Sequence, residues 1–410
     1  MSDPGDPSPP ILGLRAEAMT YAVAFLSISL QPMANVVVPL WALSMGVPPL
    51  LLGIAMGARS LLPFLFAIHG GVLIDRLGVR RVMVFCALAS ALISILYPAL
   101  PWIGPLIALQ VCIGMFTTMG WIGSQTHTGR ITGGHPRYMG RFTFASTIAN
   151  FFGPLAVGMA WDVGGPWGAF GFISAWSLAL AAGCAALSTP PGTAETSDRS
   201  RLASLLPSLA DYRSAFALML LPAVGFVVAA SFLINATFSM RFAFYVVYLK
   251  VIGLEGTLIG LLVGISSLSG AVFALLIGPA TRRFDGNRLL VIMIVVAAAG
   301  IGGTPLFTDL TGLFLLACLF GLGTGLGMAL IYVELSRSAP AHRLGASIGL
   351  RTTANRFSSL SIPVLMGTVV EFGGMNAGFY AVALLIILAA VMARLLLLRH
   401  PRAAVGNIED

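Results

Sequence analysis

The sequence predicts an all-α membrane protein of twelve transmembrane helices arranged as two parallel six-helix halves. Three observations carry this. Of 410 residues, 58% are hydrophobic and only 9% charged, with a mean hydropathy of +0.94, whereas soluble domains carry about a quarter charged residues. Apolar runs of about twenty residues, long enough to cross a bilayer, recur along the whole chain. The basic residues fall in alternate connections between those runs.

Taken in order, the spans run near 18–43, 48–73, 82–100, 105–127, 140–161 and 168–188. After a long connection they resume near 224–249, 255–279, 289–307, 311–336, 346–369 and 374–397. Connections are short and built from turn formers, as at Gly46-Val-Pro-Pro49, Pro101-Trp-Ile-Gly104 and Glu371-Phe-Gly-Gly374. The organisation is therefore an N-terminal tail (1–17), a first bundle (18–188), a linker (189–223), a second bundle (224–397) and a C-terminal tail (398–410). The linker opens on a polar stretch, Thr189 to Arg201. Leu202, Leu205, Leu206 and Leu209 then suggest an interfacial helix over Leu202–Leu221.

The halves repeat. Gly46, Gly53, Gly57 and Gly71 recur 207 residues later as Gly253, Gly260, Gly264 and Gly278. An offset of 205 carries Gly140 to Gly345 and Ala149-Asn150 to Ala354-Asn355.

Charge sets the topology. The formal net charge is +8, from 22 arginines, one lysine and 15 acids. Arg76, Arg80 and Arg81 lie in one even connection, and Arg130, Arg137 and Arg141 border the next. Further arginines mark the linker, the eighth and tenth connections and the C-terminus. Odd connections hold only Lys250. Both termini are expected in the cytoplasm, with the chain in a cytoplasmic (inner) membrane. The arginines form no continuous stripe, which excludes nucleic acid as a partner. The N-terminus lacks a basic n-region and is not a cleavable signal peptide. Cys86, Cys112, Cys184 and Cys318 are dispersed in apolar runs, so no metal site is expected.

One stretch is dense in charge: Gly71-Val-Leu-Ile-Asp75-Arg76-Leu-Gly78-Val-Arg80-Arg81. It resembles the signature loop between the second and third helices of the major facilitator superfamily of transporters, departing at Val79, where the family often has a basic residue. The second copy, Gly278 to Arg288, is degraded. Gly153-Pro154-x-x-x-Gly158 is similar to part of the glycine-proline motif of family exporters. Gln110-Val-Cys-Ile-Gly114 keeps the glycine of a fourth-helix motif and lacks the arginine that the family associates with proton coupling. The resemblance implies a secondary transporter working by alternating access. It also implies that Asp75 lies against the N-terminus of span 11 as a gate latch, and that Gly71, Asp75, Arg76, Gly78, Arg80 and Arg81 form the gate. In the second copy Arg282 stands at the aspartate position, and Arg282 or Arg283 is expected beside Glu334.

A charge within hydrocarbon costs about 2.5–3.5 kcal/mol on the most lenient scale, so an intramembrane charge marks a candidate site. Arg59, Arg241 and Arg356 qualify. Ser27, Gln31 and Asn35 stand at steps of four on span 1. Gln110, Thr117, Trp121 and Ser124 share a stripe on span 4. Thr237, Arg241, Tyr245 and Tyr248 do so on span 7, and Thr352, Arg356 and Ser359, beside Asn355, on span 11. These are candidate cavity walls. No acid sits in the middle of any span, which favours an anionic small-molecule substrate. The alternative reading is that the arginines bond helix carbonyls and brace the bundle, and that Asn150 and Asn355 make structural interhelical bonds. A proton or counter-anion is a possible coupling ion; no cofactor is expected, and the chain is expected to be monomeric.

Enzyme motifs are lacking: no HExxH, no paired intramembrane aspartates and no P-loop. Gly321-Leu-Gly-Thr-Gly-Leu-Gly327 lies in an apolar span and suits close helix packing. The functional readings are, in order, transport of a small organic anion, proton-coupled efflux of lipophilic drugs or metabolites, and a non-transporting membrane sensor on the same fold.

Overall fold

The computed structural model describes residues 13–66, 77–187, 219, 221–338 and 344–399. Eight of its helices are long and apolar enough to cross a membrane. Two of those, Pro136–Ala185 and Leu344–Leu398, each break once, at Gly165 and Gly374. Both glycines have positive φ with extended ψ, a conformation open essentially to glycine alone. The four limbs are spans 5, 6, 11 and 12. Two shorter apolar helices, Pro49–Ala58 and Gly286–Gly302, complete the twelve as spans 2 and 9.

The remaining spans are Leu14–Ser44 (1), Val79–Ala99 (3), Ile103–Thr132 (4), Pro222–Val251 (7), Gly256–Ala274 (8) and Leu310–Ser338 (10). Span 9 starts three residues before its apolar run because Asp285 accepts from the Arg288 N–H at 2.9 Å and caps it. Span 2 is not one smooth helix. It stops at Ala58, turns at Arg59 and Ser60, and resumes as Leu61–Leu65. Span 7 carries a π-helical turn at Arg241–Tyr245.

The halves meet along two seams, span 2 against span 11 and span 5 against span 8. Glycine makes both possible. A Cβ at Gly53 would stand 2.2 Å from the Pro363 carbonyl oxygen, and one at Gly260 would stand 2.2 Å from that of Pro154. Gly57 faces the Leu360 carbonyl and Gly264 that of Phe151, at 2.5 and 2.6 Å. The two seams are copies of each other. Gly53 and Gly260 keep the offset of 207, as read from the sequence. On spans 5 and 11 the offset is 209, since Pro154 matches Pro363 and Phe151 matches Leu360. This corrects the offset of 205. In space Asn150 matches Ser359, one helical turn beyond the Asn355 that sequence alignment selects.

Carboxylates close the odd-connection ends of both seams. Asp162, at the end of span 5, accepts from the amides of Gly256 and Thr257 at 2.7 Å each and from the Thr257 hydroxyl at 2.6 Å. Glu371, at the end of span 11, accepts from the Leu50 amide at 3.2 Å. Each acid thus meets the N-terminus of a helix in the other half, where unpaired amides and the helix dipole favour it.

Gly71, Asp75 and Arg76 lie outside the described residues, as does almost all of the expected interfacial helix Leu202–Leu221.

Candidate functional site

The break in span 2 turns Arg59 inward. Only 7% exposed, it donates from Nη1 to Asn35 Oδ1 at 2.9 Å and from Nη2 to Thr117 Oγ1 at 3.3 Å. Its backbone fits only because position 114 is glycine: a Cβ there would stand 1.9 Å from the Arg59 carbonyl oxygen. Asn35 keeps its Nδ2 buried without a partner. A guanidinium with one amide oxygen and one hydroxyl for company has no counter-ion among the described residues.

Arg356 approaches from the opposite half. It is partly exposed, on the stretch of span 11 that faces span 2, where Leu360 lies against Gly57. It makes no side-chain hydrogen bond or ion pair with any described residue. Beside it Phe357 pairs with Phe64 of the first half at 6.5 Å and with Phe232 at 6.2 Å. The described carboxylates all stand at or near helix ends: Glu17, Asp162, Glu255, Asp285, Asp309, Glu334 and Glu371. Arg59 and Arg356 thus lie on facing spans of different halves, and no described acid pairs with either.

Arg241 is elsewhere. It is buried within the π-helical turn of span 7 and donates to the Val263 carbonyl of span 8. Its guanidinium lies 5.0 Å from the Phe320 ring and 6.0 Å from that of Tyr245. Tyr245 is buried with its hydroxyl unpartnered. The structure thus puts Arg59 and Arg356 on facing spans 2 and 11 and leaves Arg241 inside the second half.

The other sequence candidates divide. Gln31 is exposed, between buried Ser27 and Asn35. Gln110 is wholly buried inside the first half; its Oε1 accepts from the Tyr97 hydroxyl at 2.9 Å and its Nε2 reaches the Met56 sulfur at 3.6 Å. Asn355 joins spans 7 and 11. Its Oδ1 accepts from Ser231 at 2.9 Å, and its carbonyl accepts from Asn235 Nδ2 at 2.8 Å. Asn150 donates to the Ser146 carbonyl of its own helix.

At the gate, Gly78 has φ +84° and leads into span 3, which favours glycine there. Arg80 donates to the Ala185 carbonyl, and Arg81 stands exposed in the same first turn. The expected pairing of Arg282 or Arg283 with Glu334 does not form. Both arginines are exposed, while Glu334 pairs with Arg337 at 3.1 Å, three residues on along its own helix. The Glu334 carboxylate is also turned against Gly286, where a Cβ would come within 2.0 Å of Oε1. The local spacing of span 10 supplies its partner.

Two participants escape the sequence reading. Arg351 is buried one and a half turns from Arg356, off the polar stripe. Its guanidinium lies 4.5 Å from the Tyr332 ring, and its Nε is unpartnered. A charge scan of span 11 that ignored the stripe would have found it. Asn235 binds both the Asn355 carbonyl and Ser359 Oγ at 2.8 Å, and nothing in its apolar surroundings signals that.

A family model described as Major Facilitator Superfamily matches residues 18–310 and 227–409. Among solved structures, the nucleoside transporter NupG aligns with a TM-score of 0.76 at 15% identity, covering 94% of this chain and 99% of its own. A bacterial homologue of the human lysosomal transporter Spinster, inward-facing and unoccupied, aligns with a TM-score of 0.71 at 12% identity, covering 95% and 98%. No curated protein matches the chain. At these identities the structural likeness speaks for the fold alone.

Proposed function

The chain belongs to the Major Facilitator Superfamily, and from that premise we propose that it moves a small organic anion across a cytoplasmic membrane by alternating access, with both termini in the cytoplasm. As a family member it is a multi-pass membrane transporter and not an enzyme. The observation that supports the substrate class is that Arg59 and Arg356 stand on facing segments of opposite halves, where Phe64 pairs with Phe357 and Gly57 meets the Leu360 carbonyl, and that neither is paired with a described acid.

The physical argument is one of charge. Two guanidinium groups on facing spans repel each other, and neither has a partner among the described acids. An anion between them relieves both penalties, through charge-assisted hydrogen bonds of about 1.5–3 kcal/mol each. Because the two groups belong to different halves, the bound anion would also tie the halves together at the midplane. Asn35 Nδ2 offers a further donor on the Arg59 side.

Counterflow in proteoliposomes tests this, with lactate, succinate and a hexose phosphate as anion probes and ethidium as a cationic one. Exchange of an anion that is lost in both Arg59→Gln and Arg356→Gln supports the reading. Ethidium accumulation without anion exchange would replace it with efflux of lipophilic cations.

A further inference from the structure

Spans 1 and 5 enclose a cleft at the even-connection end of the first half, apart from Arg59 and its partners. Its volume is about 510 Å³. Ala18, Tyr21 and Phe25 of span 1 form one wall, and Phe144, Ala145 and Ile148 of span 5 form the other. The walls are apolar, and Phe144 is 68% exposed. At the end of the cleft Glu17 of span 1 pairs with Arg141 of span 5. The Tyr21 hydroxyl donates to the Tyr138 carbonyl at 3.4 Å.

The helical register shows which way the cleft opens. On span 5, Arg141, Phe144, Ala145 and Ile148 share one side, and Thr143, Ser146, Thr147 and Asn150 lie on the side opposite. On span 1, Ala18, Tyr21 and Phe25 stand about a third of a turn away from the row Ser27, Gln31 and Asn35. Between these sides Ala24 and Ile28 of span 1 pack with Phe142 and Ala149 of span 5. The polar rows of both helices are thus turned away from the cleft. At its inner end the Phe25 ring lies 5.7 Å from that of Trp176 on span 6. An exposed apolar wall on a membrane-spanning helix is where acyl chains lie.

The charged end of the cleft selects the head group. Glu17 and Arg141 already neutralise each other, so the pair offers no net charge to a simple anion. A guanidinium has five donors and a carboxylate two oxygens, so each can take a second partner of the right sign. A head group that is itself a zwitterion satisfies both. Its phosphate accepts from Arg141, and its ammonium donates to Glu17. A choline head has no N–H to donate. A glycerol head sets its phosphate charge against Glu17 with no cation to offset it.

We propose that this cleft binds one phospholipid with a primary-amine head group, of the ethanolamine type, in the leaflet at the even-connection end. One acyl chain lies along Phe25, Phe144 and Ile148, and the head group closes over Glu17 and Arg141. The inference goes beyond the anion reading and does not rest on it.

A photoreactive lipid tests this on the full chain. Phosphatidylethanolamine with a diazirine in its acyl chain is added in small amount to phosphatidylcholine nanodiscs holding the protein. After irradiation the labelled residues are mapped by mass spectrometry, and label is expected on Phe25, Phe144 or Ile148. Unlabelled phosphatidylethanolamine at about ten times the amount of the probe should cut that label about tenfold by mass action, while phosphatidylglycerol at the same level leaves it unchanged. In Glu17→Gln the glycerol lipid should compete as well as the ethanolamine lipid. Ala145→Trp, which fills the cleft and spares the ion pair, should abolish label there and leave label elsewhere on the chain. No label in the cleft of the wild type overturns the site, and a cross-linked dimer in the same nanodiscs would then assign this wall to a second copy. Equal competition by both lipids in the wild type overturns the choice of head group. Both wild-type results stand whether or not the variants fold.

Discussion

Asp162 holds Thr257 by two donors, its amide at 2.7 Å and its hydroxyl at 2.6 Å, and accepts a third bond from the Gly256 amide at 2.7 Å. Its counterpart Glu371 holds Leu50 by one, at 3.2 Å. The two acids close the same face of the molecule on opposite sides. Hydrogen bonds to a charged group contribute about 1.5–3 kcal/mol each, so Asp162→Ala should favour opening of this face roughly tenfold or more, and Glu371→Gln less. Nitroxides at Val163 and Val251, both exposed near the odd-connection face, read this directly by pulsed electron resonance. A distance distribution unchanged in Asp162→Ala would show that the glycine seams alone keep this face shut.

The glycine seams make a second prediction. A methyl at Gly260 would meet the Pro154 carbonyl at 2.2 Å, and one at Gly53 the Pro363 carbonyl at the same distance. Backbone atoms cannot swing aside as side chains do, and overpacking costs about 1–3 kcal/mol. Gly260→Ala and Gly53→Ala should each lengthen the Val163–Val251 spin-label distance and slow transport. Gly104→Ala, with open space around it, is the control that should change neither.

Arg241 should behave unlike Arg59. Its charge is spent on the Val263 carbonyl and on the Phe320 and Tyr245 rings. Arg241→Met should therefore lower the melting temperature, by the loss of a charged hydrogen bond of about 1.5–3 kcal/mol, and leave the affinity for a transported anion unchanged. Reduced affinity at an unchanged melting temperature would put Arg241 in the binding site after all.

Asn235 braces span 7 against span 11 with two hydrogen bonds. Interhelical bonds in membranes average about 0.6 kcal/mol. Asn235→Ala should cost roughly 1 kcal/mol on that scale, seen as a small fall in melting temperature with counterflow intact. Abolished counterflow would assign Asn235 to the transport cycle.

The sequence by itself determined the spans, their alternation of charge and the doubled architecture, because hydrophobic length and the placement of arginine are local properties that the bilayer reads one helix at a time. Gly46, Gly53 and Gly57 announced their copies at a constant offset, and the turns at Gly165 and Gly374 fell in glycine-rich connections. The tertiary structure decided what each intramembrane arginine faces. Arg59, Arg241 and Arg356 look alike in the sequence, each a lone charge in an apolar run. A two-residue break in span 2 turns Arg59 onto Asn35 and Thr117, while the π-helical turn holds Arg241 against Val263 and Phe320. The register of span 11 against span 5 was also out of reach, since the repeat that matches letters, Asn150 with Asn355, is one turn away from the repeat that matches backbone contacts. Pairing between helices depends on where backbones come close, and that distance belongs to the folded bundle and to no single stretch of chain.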